Sequence, residues 1–184
     1  MFKEIFFAFW FFGPVGLANV SAFFSSKISY LKKFNYPIDF KLKFRNKRVL
    51  GSHKTIRGFV FGIFMAITGV YLQVFLYEHF SFMRQIHTVD YSTINPIVFG
   101  FLCGFGALAG DAVKSFFKRR KGIVPGKSWT PFDQIDYIIG GIVFTWFYLP
   151  LSLGQYLMIF LLWFLIHPTG TFIGYLLKLR RKPL

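Results

Sequence analysis

Five apolar runs divide the chain, and short, strongly polar segments separate them. The runs cover roughly Ile5–Phe24, Gly58–Tyr77, Ile94–Gly110, Phe132–Leu149 and Leu153–Leu177. A helix needs about 20 apolar residues to cross a bilayer. The pattern therefore predicts an all-α integral membrane protein with about five transmembrane helices. The third run is short unless its helix continues past Asp111 into the interface. The fourth is long enough only if it includes the acidic start around Asp133. No internal repeat or low-complexity tract is visible, so one polytopic membrane domain spanning 1–184 is expected. Met1-Phe2-Lys3-Glu4 and the run behind it could pass for a signal peptide. No sizeable positive n-region or small-x-small cleavage site follows, and the run is read as a retained helix.

Composition agrees with that pattern, because 54% of the 184 residues are hydrophobic and 28 are Phe. Charge adds direction. A net charge of +15 on a soluble domain would suggest nucleic acid. Here the cations lie in short segments between apolar runs, which points to anionic lipid heads, phosphates or topology, and to no nucleic acid. Lys27 to Arg57 holds ten Lys and Arg, Lys114 to Lys127 six, and Lys178 to Lys182 four, together 20 of the 22. Only Lys3 and Arg84 fall on the other side. By the positive-inside rule the N-terminus is expected outside and the C-terminus in the cytoplasm. The single cysteine, Cys103, excludes an intramolecular disulfide, and no Cys/His metal spacing exists.

The acids then become informative. Glu4, Glu78 and Asp90 fall on or near the outer side, and Asp39, Asp111, Asp133 and Asp136 on the cytoplasmic side. A surface kept merely soluble would mix the signs. A few acids among many cations suit a phosphate-rich ligand that carries a divalent metal. On a helix running past the membrane edge, Asp111, Lys114, Ser115 and Lys118 form one polar stripe. An ionisable group at that depth is a functional candidate, although a helix-end ion pair would produce the same stripe. Thr130-Pro131-Phe132-Asp133 reads as a helix start, with Thr130 as N-cap, Pro131 at N1 and Asp133 at N3 of a capping box. Asp136, one turn further in, is not explained by capping, and two acids on one face fit a metal site.

Other features are weaker. Gly51 to Gly58, containing Lys54, Thr55 and Arg57, could cradle phosphate at a helix N-terminus, but a basic flank set by topology reads the same way. Gly100, Gly104, Gly106 and Gly110 form two small-xxx-small pairs suited to close helix packing. Pro14 predicts a kink in the first helix, and Asn19 needs a partner in the bundle. His167-Pro168 predicts a kink with a buried, hydrogen-bonded His.

Gly110-Asp111, Ser115, Lys118-Arg119, Gly122 and Asp133-Gln134-Ile135-Asp136 resemble the C-terminal signature of the CTP:phosphatidate cytidylyltransferases. Within that superfamily the CDP-archaeol synthase branch is the closer match. Its G-D-x-x-K-S-F-x-K-R-R-x-G-I and P-F-D-Q-x-D stretches are matched by Gly110 to Ile123 and by Pro131 to Asp136. Pro14 with Ala18-Asn19, Pro37-Ile38-Asp39-Phe40, and Gly51 with Lys54-Thr55 and Arg57-Gly58 resemble its N-terminal motifs. The chain differs from the branch at Lys41, where Gly is usual, and at Thr171, where Asn is usual.

The resemblance implies transfer of CMP from CTP to a lipid phosphomonoester, with Mg²⁺, or Mn²⁺ in its place, held by Asp111, Asp133 and Asp136. It implies that Lys54, Lys118 and Arg119 neutralise phosphates, and that Asn19, Asp39, Thr55, Arg57, Lys114 and Ser115 contact substrate. CTP, the lipid phosphate and the bilayer are the expected partners, in the cell membrane with the site on the cytoplasmic face. The apolar faces can be covered by lipid or by a second copy in a homodimer. A CDP-diacylglycerol synthase, and a small non-enzymatic scaffold or transporter, are the alternatives.

Overall fold

The computed structural model describes residues 2–86 and 88–176. The side chain of Thr171 is not described, and the basic tail Lys178 to Lys182 lies outside these residues. Among the described residues four helices are long and apolar enough to cross a membrane: α1 (Phe2–Phe24), α2 (Ile56–His79), α4 (Pro96–Arg120) and, through its part Leu153–Gly170, α6 (Leu153–Leu176). Between them lie the short helix α3 (Ser81–Ile86) and α5 (Phe132–Trp146). The fourth apolar run was expected to reach Leu149. The helix ends three residues earlier, and its 15 residues rise only about 22 Å. Tyr148 completes the passage: its hydroxyl accepts the Asn95 N–H at 2.9 Å. Helix α5 and its extension thus run antiparallel to α4, from the level of Lys118 back to the start of α4.

Helix α1 is the hub. It touches α2, α4, α5 and α6, while α2 and α6 do not touch among the described residues. The ring α2–α4–α5–α6 is therefore open on one side of α1. Along that side Gly13 lies beside Gln73 of α2 and Gly16 beside Trp163 of α6. On the same stripe Phe9 and Val20 are half exposed, at 51% and 52%.

The kink in α1 finds its partner across the bundle. Pro14 has no N–H, so the Trp10 carbonyl loses its helical donor. The buried Gln73 amide of α2 donates to that carbonyl at 2.5 Å. Asn19, expected to need a partner, is half-buried and makes no side-chain hydrogen bond to another described residue. Replacing Gln73 by Leu removes a buried interhelical bond of about 1 kcal/mol. A Gln73→Leu protein is expected to melt a few degrees lower in detergent, with unchanged secondary structure by circular dichroism.

The glycine pairs of α4 serve two faces. A Cβ on Gly100 or Gly104 would lie 2.5 and 2.7 Å from the Cα atoms of Ile67 and Ile63 in α2. A Cβ on Gly106 or Gly110 would lie 2.7 and 2.2 Å from the carbonyls of Gly140 and Asp136 in α5. One helix is thus clamped backbone to backbone on both sides, as small residues allow in a membrane.

The segment between α1 and α2 folds back over this end of the bundle. It contains a two-residue ribbon, β1 (Lys43–Phe44) paired with β2 (Lys47–Arg48), the only strands among the described residues. Arg45 and Asn46 turn it with positive φ of 51° and 59°, the geometry of a tight hairpin. Arg120, at the end of α4, donates to the carbonyls of Phe44, Lys47 and Arg48 at 2.8, 3.2 and 2.6 Å.

Candidate active site

Helix α4 continues ten residues beyond Gly110, so the polar stripe is real helix surface. Asp111 lies 15 residues after Pro96, a rise of about 22 Å, short of the roughly 30 Å hydrocarbon thickness. Because Gly110 packs on the Asp136 carbonyl, the helix crossing sets Asp111 beside Asp136. The third acid, Asp133, lies one turn before Asp136.

These three carboxylates converge on one ammonium. Lys114 Nζ lies 3.0 Å from Asp111 Oδ1, 2.7 Å from Asp133 Oδ1 and 2.5 Å from Asp136 Oδ2. Lys54, brought over by the α1–α2 segment, pairs with the other oxygen of Asp111. Lys118 Nζ holds Asp133 at 3.0 and 3.1 Å and the Lys127 carbonyl at 2.6 Å. Three acids and three lysines thus form a cluster with no net charge. Among the described residues no three acids are close enough together to hold a metal ion as they stand, since the Lys114 ammonium sits between them. Buried ion pairs rarely repay their desolvation, and an apolar packing of equal volume is often as stable. Stability alone does not explain six charges at this depth, which makes the cluster the candidate functional site. The donor set, hard carboxylate oxygens aimed at one cation, fits Mg²⁺ or Mn²⁺.

Asp133 is not a capping-box residue. No side chain caps α5, whose first turn follows Pro131, and Thr130 does not act as the expected N-cap. The chain before α5 instead bends so that the Trp129 N–H reaches Asp133 Oδ2 at 2.5 Å. One oxygen is anchored to backbone, and both face Lys118.

The remaining sequence candidates separate into near and far. Ser115 is buried on the α4 stripe. Thr55 is the N-cap of α2, its hydroxyl accepting the Gly58 N–H at 3.2 Å, which fixes the helix start beside Lys54. Arg57 donates to the Leu31 carbonyl at 3.3 Å, away from the acids. Arg119 runs beside Gly51. Asp39 is not among the clustered acids. It is a buried hub that accepts Arg48 at 2.5 Å and the backbone N–H groups of Lys41, Leu50 and Gly51 at 3.0–3.1 Å. His167 is half-buried, its ring 5.7 Å from that of Tyr137. Arg48 and Arg120, which hold the segment carrying Lys54, were not singled out by sequence. Nothing in a run of cations distinguishes them.

Burial works against ionisation of Asp39, but the Arg48 guanidinium and the three N–H groups outweigh it and hold the carboxyl below its usual value. A depressed value stabilises the folded loop at neutral pH, and that contribution is lost as pH falls through it. Asp39→Asn is expected to speed hydrogen exchange at Leu50 and Gly51 at pH 7. The wild-type loop should approach the variant only in acid, below about pH 4.

Fold and site together define a membrane-embedded protein that carries a compact acid–lysine cluster near one end of its bundle. The model of the CDP-archaeol synthase family (CarS-like) matches residues 1–183. A CDP-archaeol synthase of Methanosarcina barkeri is 33% identical over 158 residues, covering 80% of this chain and 89% of that protein. One of Methanospirillum hungatei is 32% identical over 169 residues, covering 88% and 98%. A solved structure described as an intramembrane enzyme for archaeal membrane lipid biosynthesis shares the fold, with a TM-score of 0.69 at 22% identity, over 89% of this chain and 91% of that one. The chain belongs to the CDP-archaeol synthase family.

Proposed function

We propose that this protein transfers the cytidylyl group of CTP to the phosphomonoester of a di-isoprenoid glycerol ether, giving CDP-archaeol and pyrophosphate in phospholipid biosynthesis. The observation that carries the chemistry is the convergence of Asp111, Asp133 and Asp136 on one cation position, ringed by lysines. A lipid phosphate oxygen attacks the α-phosphorus of CTP, and the bond from that phosphorus to the β-phosphate bridge oxygen breaks. A phosphomonoester has a second pKa near 6, so the nucleophile is already ionised at neutral pH and needs no general base. The protein must supply position and charge.

Asp111, Asp133 and Asp136 would hold Mg²⁺, or Mn²⁺. A bound divalent ion would neutralise phosphate charge and orient the triphosphate. Lys54, the most exposed of the three lysines, lies at the rim of the cluster, where its ammonium can pair with phosphate oxygens. Lys118, buried against Asp133 and the Lys127 carbonyl, adds positive charge beneath it, and Arg119 extends the cationic surface towards Gly51. Asn19, half-buried and without a side-chain hydrogen bond among the described residues, is available to the lipid head. The open side of α1 between α2 and α6, with Phe9 and Val20, suits two apolar chains. The site faces the cytoplasm in this reading, supported by the gathering of 20 of 22 cations in the chain segments on its side. All these residues come from one chain, so a homodimer is not required.

Purified protein in detergent, given CTP, Mg²⁺ and either the isoprenoid ether phosphate or a diacyl phosphatidate, tests the reading. Faster product formation with the ether lipid is expected. Preference for phosphatidate would replace the lipid, and no CDP-lipid from either would end the enzymatic reading.

A further inference from the structure

Lys114 is unusual within its cluster. Lys54 and Lys118 each pair with one acid, whereas the Lys114 ammonium meets all three at 2.5–3.0 Å. It therefore sits where the acids would bring a metal ion. Divalent ions such as Mg²⁺ need oxygen ligands at about 2.0–2.1 Å, and an ammonium between the acids keeps them too far apart for that.

We propose that Lys114 is the resident counter-cation of this site, and that it makes metal binding depend on the nucleotide. The inference rests on the metal-binding reading above. A metal ion arriving alone must displace an ammonium from three carboxylates and leave that ammonium half-buried with no anion. A triphosphate arriving alone meets a cluster already neutral. When both arrive, the metal takes the acids and the displaced ammonium gains the phosphates. Each ligand removes the obstacle to the other, which is reciprocal coupling. Without substrate, the same ammonium keeps three acids from repelling one another and so preserves the α4–α5 junction.

The test is Mn²⁺ binding followed by electron paramagnetic resonance, with no lipid acceptor present so that CTP is not consumed. Wild-type protein is expected to bind Mn²⁺ at least about 10-fold more tightly with CTP than without it. Removing one positive charge within 4 Å favours the metal, so Lys114→Met should bind Mn²⁺ alone about 10-fold or more tightly than wild type, and the gain from CTP should shrink. Lys114→Gln is a second variant should Met perturb folding. Equal or weaker Mn²⁺ binding by both variants, or no effect of CTP on wild-type binding, overturns the proposal while leaving the metal site standing. No Mn²⁺ binding by wild type even with CTP overturns the metal assignment itself and this proposal with it.

Discussion

Asp111→Asn is expected to fold and to form CDP-lipid about 10³-fold more slowly, the scale on which loss of one preorganised electrostatic group acts. The amide keeps the shape of the carboxylate and removes its charge. Asp111 is the acid that α4 contributes, and it is shared between Lys54 and Lys114. Its loss leaves the cluster with one excess positive charge and one fewer metal ligand. Folding should survive, because Lys114 keeps Asp133 and Asp136 and Lys54 is still 20% exposed to solvent. The check is the initial rate of CDP-lipid formation beside the melting temperature. A near wild-type rate in a folded protein would remove Asp111 from the chemistry.

The second large effect is structural and reaches the same site. A Cβ on Gly140 would lie 2.2 Å from the Gly106 carbonyl and 3.0 Å from the Gly110 Cα. No rotamer relieves a clash at Cβ, so α4 and α5 must separate. Overpacking costs about 1–3 kcal/mol for added methylenes in a core, and a Gly140→Leu change against backbone should lie at or beyond that range. The variant is expected to yield little folded protein. A milder Gly140→Ala protein should be recoverable, with a lowered melting temperature and a disproportionate loss of activity. That disproportion follows because the crossing fixes the distance from Asp111 to Asp136. Size-exclusion profile, melting temperature and rate measured together separate the two effects.

Much of this arrangement was legible in the chain. Apolar runs locate helices because hydrocarbon length sets helix length, and four of the five runs fall on helices long and apolar enough to span, the third of them continuing ten residues past its apolar run. Gly106 and Gly110 were readable as packing residues, and Asp111 and Asp136 as acids that capping does not explain, whereas Asp133 read equally as a cap. What escaped depends on contacts distant in sequence. Gln73 looks like a stray polar residue in an apolar run until Pro14 frees the Trp10 carbonyl across the bundle. Asp39 resembled a substrate contact, yet it folds its own loop, since Arg48, nine residues away, turns back through the hairpin. Thr130 carried a capping signature, but the segment before α5 is positioned by Asp133 reaching the Trp129 N–H. Lys114 was one of four residues on a stripe. Only the approach of α5 shows it at the centre of three acids.

The most direct test of the central claim uses CTP labelled at the α-phosphate and, in parallel, at the γ-phosphate, with the isoprenoid ether phosphate as acceptor. Cytidylyl transfer predicts that the α-label enters the lipid and the γ-label leaves as pyrophosphate, one for each lipid product. A γ-label found in the lipid, or an α-label released only as free CMP, would contradict it.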